Sequence, residues 1–214
     1  NLPLLYDKVD EQINVCLESG IKIFFTSAGS PKKWTQYLKE HHSKVVHVTS
    51  SPELAIKCEE AGVDAVVAEG FEAGGHNGRD EITTLALIPQ VVNSVKIPVI
   101  AAGGIATGSS MLAMMALGAS GVQMGTRFLM TKESSAHENF KNYALLARSN
   151  STKLLMKKTI PVRLLQNQFS TDVEKLENEY LKEDLVHQLN LHLGKGRAKD
   201  GMLNGNIAEG ELEI

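Results

Sequence analysis

The stretch IPVIAAGGIATGSSMLAMMALGASGVQMGTRF, residues 97–128, decides the fold of this chain. It contains an apolar run, a Gly-Gly turn, an amphipathic segment, and a second apolar run that ends in Gly-Thr. Short apolar runs separated by helical segments are typical of parallel strands that are buried on both faces. The order strand, helix, strand predicts a right-handed crossover, with each glycine turn at the carboxyl end of a strand.

The same alternation extends through the first 125 residues or so. Five apolar runs predict strands at 21–26, 44–48, 65–68, 97–101 and 121–124. Five amphipathic segments predict helices at 9–18, 32–39, 52–61, 88–94 and 110–117. Ser50 or Ser51 before Pro52 predicts an N-cap. Glycine adopts the left-handed conformation that often ends a helix at low energetic cost. Three glycines stand at such positions: Gly20, Gly62 and Gly118. This alternation fits either an open doubly wound sheet or a closed barrel.

The pattern changes after Thr131. Residues 134–149 and 170–193 are predicted to be helical, and the leucines of the second span recur at helical spacing. The last 20 residues are glycine-rich and polar and are not expected to form regular structure.

Three glycine-rich loops follow predicted strands and hold the candidate functional residues. The first is AEGFEAGGHNG at 68–78, whose four glycines allow close approach of a ligand to the backbone beside Glu69 and His76. The others are AAGGIATG at 101–108 and QMGTRF at 123–128, where backbone N–H groups and a hydroxyl can bind phosphate. Two such loops on successive strands favour the barrel, because the loops after strands seven and eight commonly form its phosphate site. For the first loop, a mobile segment with a solvated histidine is the open alternative.

The composition restricts the class of partner. The 214 residues are 43% hydrophobic and carry a net charge of -3, which gives no electrostatic reason to expect nucleic acid or an anionic membrane. No apolar run approaches the roughly 20 residues that span a bilayer. Cys16 and Cys58 lie in partly apolar helical segments and are predicted to be free thiols, which fits a cytoplasmic protein. No histidine or cysteine pair has zinc-ligand spacing, so no metal site is predicted.

The loops and their flanks resemble the core signature of the nitronate monooxygenase family, whose relatives include the FMN-dependent enoyl-ACP reductase II enzymes. The matching text is AGVDAVVAEGFEAGGHNG, IPVIAAGGIATG and LGASGVQMGTRFLMTKES. The loop Thr26–Pro31 and the tail from Gly196 to Glu211 are also similar to the family. The resemblance implies an α/β protein with an FMN-binding (β/α)₈ TIM barrel. Residues 1–133 would be about five of its strand-helix units, and residues 134–214 a helical extension that packs on them.

The resemblance also implies roles for single residues. Four residues would hold the FMN phosphate: Gly103, Gly104, Gly125 and Thr126. Glu69 would lie near the ribityl chain, and Gly74 and Gly75 would pass close to the flavin. In nitronate monooxygenases the histidine of the AGH motif acts as base on the substrate, and His76 occupies that position here. An imidazole suits this role because it ordinarily titrates near neutral pH.

Two flavin reactions fit the resemblance. A nitronate monooxygenase oxidises alkyl nitronates with O₂ through FMN, with His76 as the base. An enoyl-ACP reductase II instead passes a hydride from NAD(P)H through FMN to an enoyl thioester, and its partner is acyl carrier protein. The sequence leaves two further functions open: a phosphate-binding barrel enzyme without flavin, and an inactive barrel. It also leaves open whether the protein forms a homodimer.

The amino-terminal residues predict an incomplete barrel. Asn-Leu-Pro-Leu at the start of the chain also resembles the family, whose members begin with strands that contribute a methionine- or glycine-bearing segment under the flavin. If Asn1 follows the third strand of the barrel, those first strands lie outside these residues. Eight strands close a barrel of this type, and only five apolar runs of strand type are predicted here. We therefore expect the first three strands to be absent from these residues, and the active site within them to be incomplete.

Overall fold

The computed structural model describes residues 1–5, 7–194 and 196–214. The strands are β1 (Leu2–Pro3), β2 (Ile23–Ser27), β3 (Lys44–Thr49), β4 (Ala65–Glu69), β5 (Gly75–His76), β6 (Val99–Ala102), β7 (Gly121–Gln123), β8 (Thr152–Leu155) and β9 (Val162–Leu165). The helices are α1 (Val9–Glu18), α2 (Thr35–Glu40), α3 (Pro52–Glu60), α4 (Thr84–Ser94), α5 (Gly108–Ala116), α6 (Thr126–Leu129), α7 (Glu138–Leu145), α8 (Gln168–Glu179), α9 (Lys182–His192) and α10 (Arg197–Met202). No helix in these described ranges is long and apolar enough to cross a membrane.

The chain forms two compact units. Unit 1 comprises Asn1–Phe71 and Asp80–Gln123, and unit 2 comprises Glu72–Arg79 and Met124–Ile214. The segment Glu72–Arg79 is therefore far in sequence from the rest of its own unit. The division of the chain after residue 133 stays a prediction.

Unit 1 contains one parallel sheet in the order β1-β2-β3-β4-β6-β7, in which each strand is hydrogen-bonded to the preceding one. An open doubly wound sheet would reverse this order at a switch point, and this sheet does not. The predicted α/β class, with consecutive parallel strand-helix units of the barrel type, is confirmed. The two-residue strand β1 was not predicted, because a proline within two residues gives no strand pattern.

Both faces of this sheet are buried, which explains the continuous apolar runs. One face carries a cluster that includes Val46, Val67 and Ala102. The neighbouring residues Val45 and Val66 point to the opposite face and are also fully buried.

Most local signals in unit 1 predicted the right boundaries. Helix α1 begins and ends where its pattern predicted, and the Ser51 hydroxyl caps α3 by accepting from the Leu54 N–H at 3.3 Å. The helix expected from residue 88 instead begins at Thr84, so that Pro89 lies inside α4. Apolar packing extends the helix upstream of the predicted start, because Leu87 is fully buried.

Unit 2 has the predicted helices together with elements that were not predicted. Helix α7 lies within the predicted span 134–149, but the span 170–193 is two helices separated at Tyr180 and Leu181. A three-stranded antiparallel sheet in the order β5-β9-β8 accompanies them. The prediction that the last 20 residues lack regular structure was wrong, because they contain α10 and the fully buried Leu212.

The sheet of unit 2 separates two apolar clusters. Leu164 packs in one of them with Phe169 and Val173 of α8. The next residue, Leu165, packs in the other with Phe140 and Leu212. Strand β9 is therefore covered on both faces within its own unit.

Candidate functional site

The carboxyl ends of β4 and β6 hold the predicted residues of unit 1. Glu69 pairs in register with Ala102, the residue that precedes the Gly103-Gly104 turn. The acid and the turn therefore lie at the same level, at the carboxyl end of the sheet. Gly103 and Gly104 have φ angles of 100° and 67°, in the left-handed region that glycine adopts at low cost. The role of Glu69 near the ribityl chain, which the family resemblance implies, stays a prediction.

Thr84, a residue that the sequence reasoning missed, fastens the two strand ends together. Its hydroxyl donates to the Gly103 carbonyl oxygen at 2.9 Å. A Cβ on Gly103 would lie 2.7 Å from the Gly70 carbonyl oxygen and 2.8 Å from the Thr84 hydroxyl. A side chain on Gly70 would overlap Thr84 itself. Glycine is thus required at both positions by the packing of unit 1, independently of any ligand.

Glu69 is an acid in an apolar setting. Two residues after the fully buried Val67, it points to the same sheet face as the cluster containing Val46 and Ala102. Burial raises the pKa of its carboxyl group to about 7. The group is therefore poised to hold or release a proton near neutral pH.

This shift predicts a pH dependence of stability. The pKa of Glu69 is raised on folding, so the folded chain keeps a proton that the unfolded chain loses, and stability falls as pH rises from about 4.5 through 7. Glu69→Gln should remove this loss, gaining about 2–3 kcal/mol at pH 8 and almost nothing at pH 4. Urea unfolding of the flavin-free protein at both pH values measures the difference. An equal effect of the substitution at the two pH values would contradict the assignment.

Strand β5 holds the predicted histidine in unit 2. Gly75 and His76 pair in antiparallel register with Arg163 and Val162 of β9, and the His76 side chain is exposed. Asn77 fixes the turn, because its side-chain N–H₂ donates to the carbonyl oxygens of Ala73 at 2.8 Å and Gly75 at 3.0 Å. The backbone around the imidazole is held while the ring itself is accessible.

Gly125 and Thr126 are also in unit 2, at the start of the short helix α6. Gly125 has a φ of -91°, and among the described residues nothing lies within 4 Å of where its Cβ would be. The first backbone N–H groups of a helix have no acceptor within the helix. Open space at the N-terminal end of a helix is compatible with the close approach of an anionic group.

The other histidines lie away from such a setting. His47 is buried within β3, where its Nδ1 lies 2.7 Å from the Thr26 hydroxyl and burial lowers its pKa. His137 caps α7 by accepting from the Asn139 N–H. The remaining four are exposed: His41, His42, His187 and His192.

The parallel strand-helix units with glycine turns at the strand ends define a protein of the barrel class. The family model described as "Nitronate monooxygenase" matches residues 4–213. The chain belongs to the nitronate monooxygenase family.

Curated relatives carry the same family name. A "Probable nitronate monooxygenase" of Staphylococcus saprophyticus is 36% identical over 204 residues, which is 89% of this chain and 57% of the relative. One from Staphylococcus aureus is 34% identical, over 90% of this chain and 55% of the relative. The chain thus spans little more than half the length of these relatives.

Solved structures are similar along most of the chain. FabK from Thermotoga maritima has a TM-score of 0.90 and 38% identity, covering 100% of this chain and 67% of that one. A nitroalkane oxidase from Streptomyces ansochromogenes has a TM-score of 0.72 and 34% identity, covering 85% of this chain and 55% of that one.

Proposed function

We propose that this protein is an FMN-dependent oxidoreductase of the nitronate monooxygenase type. It would oxidise alkyl nitronates with O₂, with His76 as the base. The observation that carries the proposal is the placement of His76, exposed on β5 after two glycines and held by Asn77. The family match over residues 4–213 supports it.

The geometry within each unit fits the FMN assignment that the family resemblance implies. In unit 1, Gly103 and Gly104 form a left-handed turn beside Glu69, the acid assigned to the ribityl chain. In unit 2, Gly125 leaves open space beside the N–H groups of Thr126 and its neighbour. When bound, FMN would accept electrons from one substrate and deliver them to a second. This assignment of the phosphate to Gly103, Gly104, Gly125 and Thr126 stays a prediction.

His76 can act as the base because its ring is accessible and its main chain is fixed. An alkyl nitronate has already lost its carbon proton, so the imidazole would take that proton from the neutral nitroalkane and thereby form the nitronate that is oxidised. Neither Gly74 nor Gly75 carries a side chain that could crowd the ring, and Ile214 and Glu213 occupy the space where side chains at these positions would lie. Gly74 and Gly75 stay proposed as residues close to the flavin.

A specific observation favours a second reaction. FabK, an enoyl-ACP reductase II, is similar over the whole of this chain with a TM-score of 0.90, compared with 0.72 over 85% for the nitroalkane oxidase. In that case NAD(P)H would be the hydride source, an enoyl thioester the acceptor, and acyl carrier protein the partner. His76 would then donate a proton or hydrogen bond to the thioester carbonyl.

One assay pair separates these readings. We expect the protein, produced as its gene encodes it, to be yellow and to contain close to one FMN per chain. Propyl nitronate with O₂ should be turned over if the first reaction is correct, and crotonyl thioester with NADH if the second is. A colourless protein that is inactive in both assays would contradict both and favour a phosphate-binding enzyme without flavin or an inactive barrel.

The cellular setting is also a proposal. Cys16 and Cys58 are both free thiols, and burial raises the pKa of Cys58 to about 11, which makes this thiol unreactive. Free thiols and a small-molecule substrate fit the cytoplasm. A homodimer stays an open alternative.

A further inference from the structure

One edge of β9 carries both the histidine strand and a second extended segment, Glu211–Ile214. The other edge of β9 is occupied by β8, where Lys153 pairs with Leu164. Glu213 forms a bridge with the same Leu164 and so must lie on the β5 side. The Leu165 N–H donates to the Leu212 carbonyl oxygen at 2.9 Å, which continues this pairing. The segment Glu211–Ile214 is therefore next to β5 along a single strand.

The two neighbours touch at the glycines that precede His76. A Cβ on Gly75 would lie 2.6 Å from the Glu213 carboxylate oxygen Oε2. A Cβ on Gly74 would overlap the backbone carbonyl of Ile214. Real Cβ atoms do not approach other atoms this closely, so Glu213 and Ile214 fill the space that side chains at these positions would need.

The segment has its own anchors, and so it can support the loop. Leu212 is fully buried in the cluster with Phe140 and Leu165. The Glu211 N–H donates to the Arg197 carbonyl oxygen at 2.9 Å. Leu212 therefore faces the core while its neighbour Glu213 contacts the histidine strand.

The opposite side of the loop is fastened separately. The Asn77 N–H donates to the Pro161 carbonyl oxygen at 2.8 Å, and the Arg79 guanidinium donates to the Thr159 carbonyl oxygen at 3.0 Å. The backbone of His76 is thus held on one side by the turn that connects β8 to β9 and on the other side by Glu213. A misplacement of about 1 Å in a reacting group can cost on the order of 100-fold in rate.

We propose that the segment Glu211–Ile214 positions His76 for catalysis, with Glu213 as the positioning residue that packs against Gly75. The inference rests on the proposed function, in which His76 is the base. It also gives Gly74 a second reason to be glycine, because a side chain there would displace the backbone of Ile214, whereas at Gly75 only the end of the Glu213 side chain would have to move.

The test compares two variants. Glu213→Ala removes the side chain, and Glu213→Gln keeps its shape without the charge. In the full protein with FMN bound, Glu213→Ala should lower kcat per bound flavin about 10-fold to 100-fold, with KM changed by less than about 3-fold. Glu213→Gln should stay within about 2-fold of wild type, because glutamine fills the same space. Hydrogen exchange of the amides of residues 74–77 should become faster in Glu213→Ala alone.

Controls separate this inference from the proposed function. Glu209→Ala removes an exposed acid from the same part of the chain and should change none of these quantities. A structural role alone would lower flavin content and Tm together while leaving kcat per bound flavin unchanged, and that result would overturn the inference. If Glu213→Ala does not fold, Glu213→Asp, which withdraws the carboxylate from Gly75 by one methylene, is judged by the same quantity. A wild-type protein without turnover, or a fully active His76→Ala, would overturn the proposed function instead.

Discussion

His76→Ala is expected to retain FMN and to lose turnover by about 10²–10⁴-fold, the usual contribution of a positioned acid–base group. The side chain is exposed on β5, so its removal creates no cavity in the core of unit 2. The backbone pairing of Gly75 and His76 with β9 does not depend on the imidazole. The loss should therefore appear in kcat and not in the folding of the protein.

Flavin absorbance measures FMN retention, and steady-state turnover with the neutral nitroalkane and with enoyl thioester measures the loss of activity. The nitroalkane is used because its nitronate has no carbon proton for a base to remove. His187→Ala is the matched control, because this histidine is also exposed in unit 2 but lies on α9. Turnover of His76→Ala at the wild-type rate with either substrate class would exclude His76 from the chemistry.

Gly125→Val is expected to abolish flavin retention while leaving the protein folded. The φ of -91° at Gly125 is accessible to valine, and the described residues leave the space around its Cβ open. The added side chain would occupy the approach to the neighbouring N–H groups. Two lost hydrogen bonds to a charged phosphate, at about 1.5–3 kcal/mol each, correspond to a loss of at least about 100-fold in FMN affinity.

Other glycines show why Gly125 is the suitable position to substitute and which position serves as the control. Gly104 has a φ of 67°, so valine there would strain the backbone and confuse a folding defect with a binding defect. Gly121 in β7 likewise has open space at its Cβ among the described residues, and Gly121→Val should keep its flavin. The ratio of flavin to protein after gel filtration measures both variants. A Gly125→Val protein that purifies with full flavin content would remove Gly125 from the phosphate site.

The fold of unit 1 was largely predictable, and much of unit 2 was not. The apolar runs of unit 1 are buried on both faces of one sheet. Its helices also have caps that are visible in the sequence, such as Ser51 at the start of α3. In β9, Leu164 and Leu165 pack into different clusters, so four residues show no alternation and resemble part of a helix. The break at Leu181 was missed because leucines continue at helical spacing across it.

Part of the candidate site could likewise be proposed from the sequence, and part of it could not. The glycine turns and His76 were found because glycine density beside titratable residues is visible in the sequence itself. Thr84 and Glu213 were missed, since their importance comes from contacts with Gly103 and Gly75 that are distant along the chain. The polar composition of the tail concealed Leu212, whose burial depends on pairing with β9.

The separation of Glu72–Arg79 from the rest of unit 2 has a consequence for synthesis on the ribosome. The Arg79 guanidinium and the Thr159 carbonyl that accepts from it are 80 residues apart. At about 5–20 residues per second, translation needs on the order of 4–16 s to cover that distance. During this interval the nascent strand that bears His76 has no β9 with which to pair. The strand that bears His76 therefore reaches its final pairing only after translation has passed β9, long after the residues around it have been synthesised.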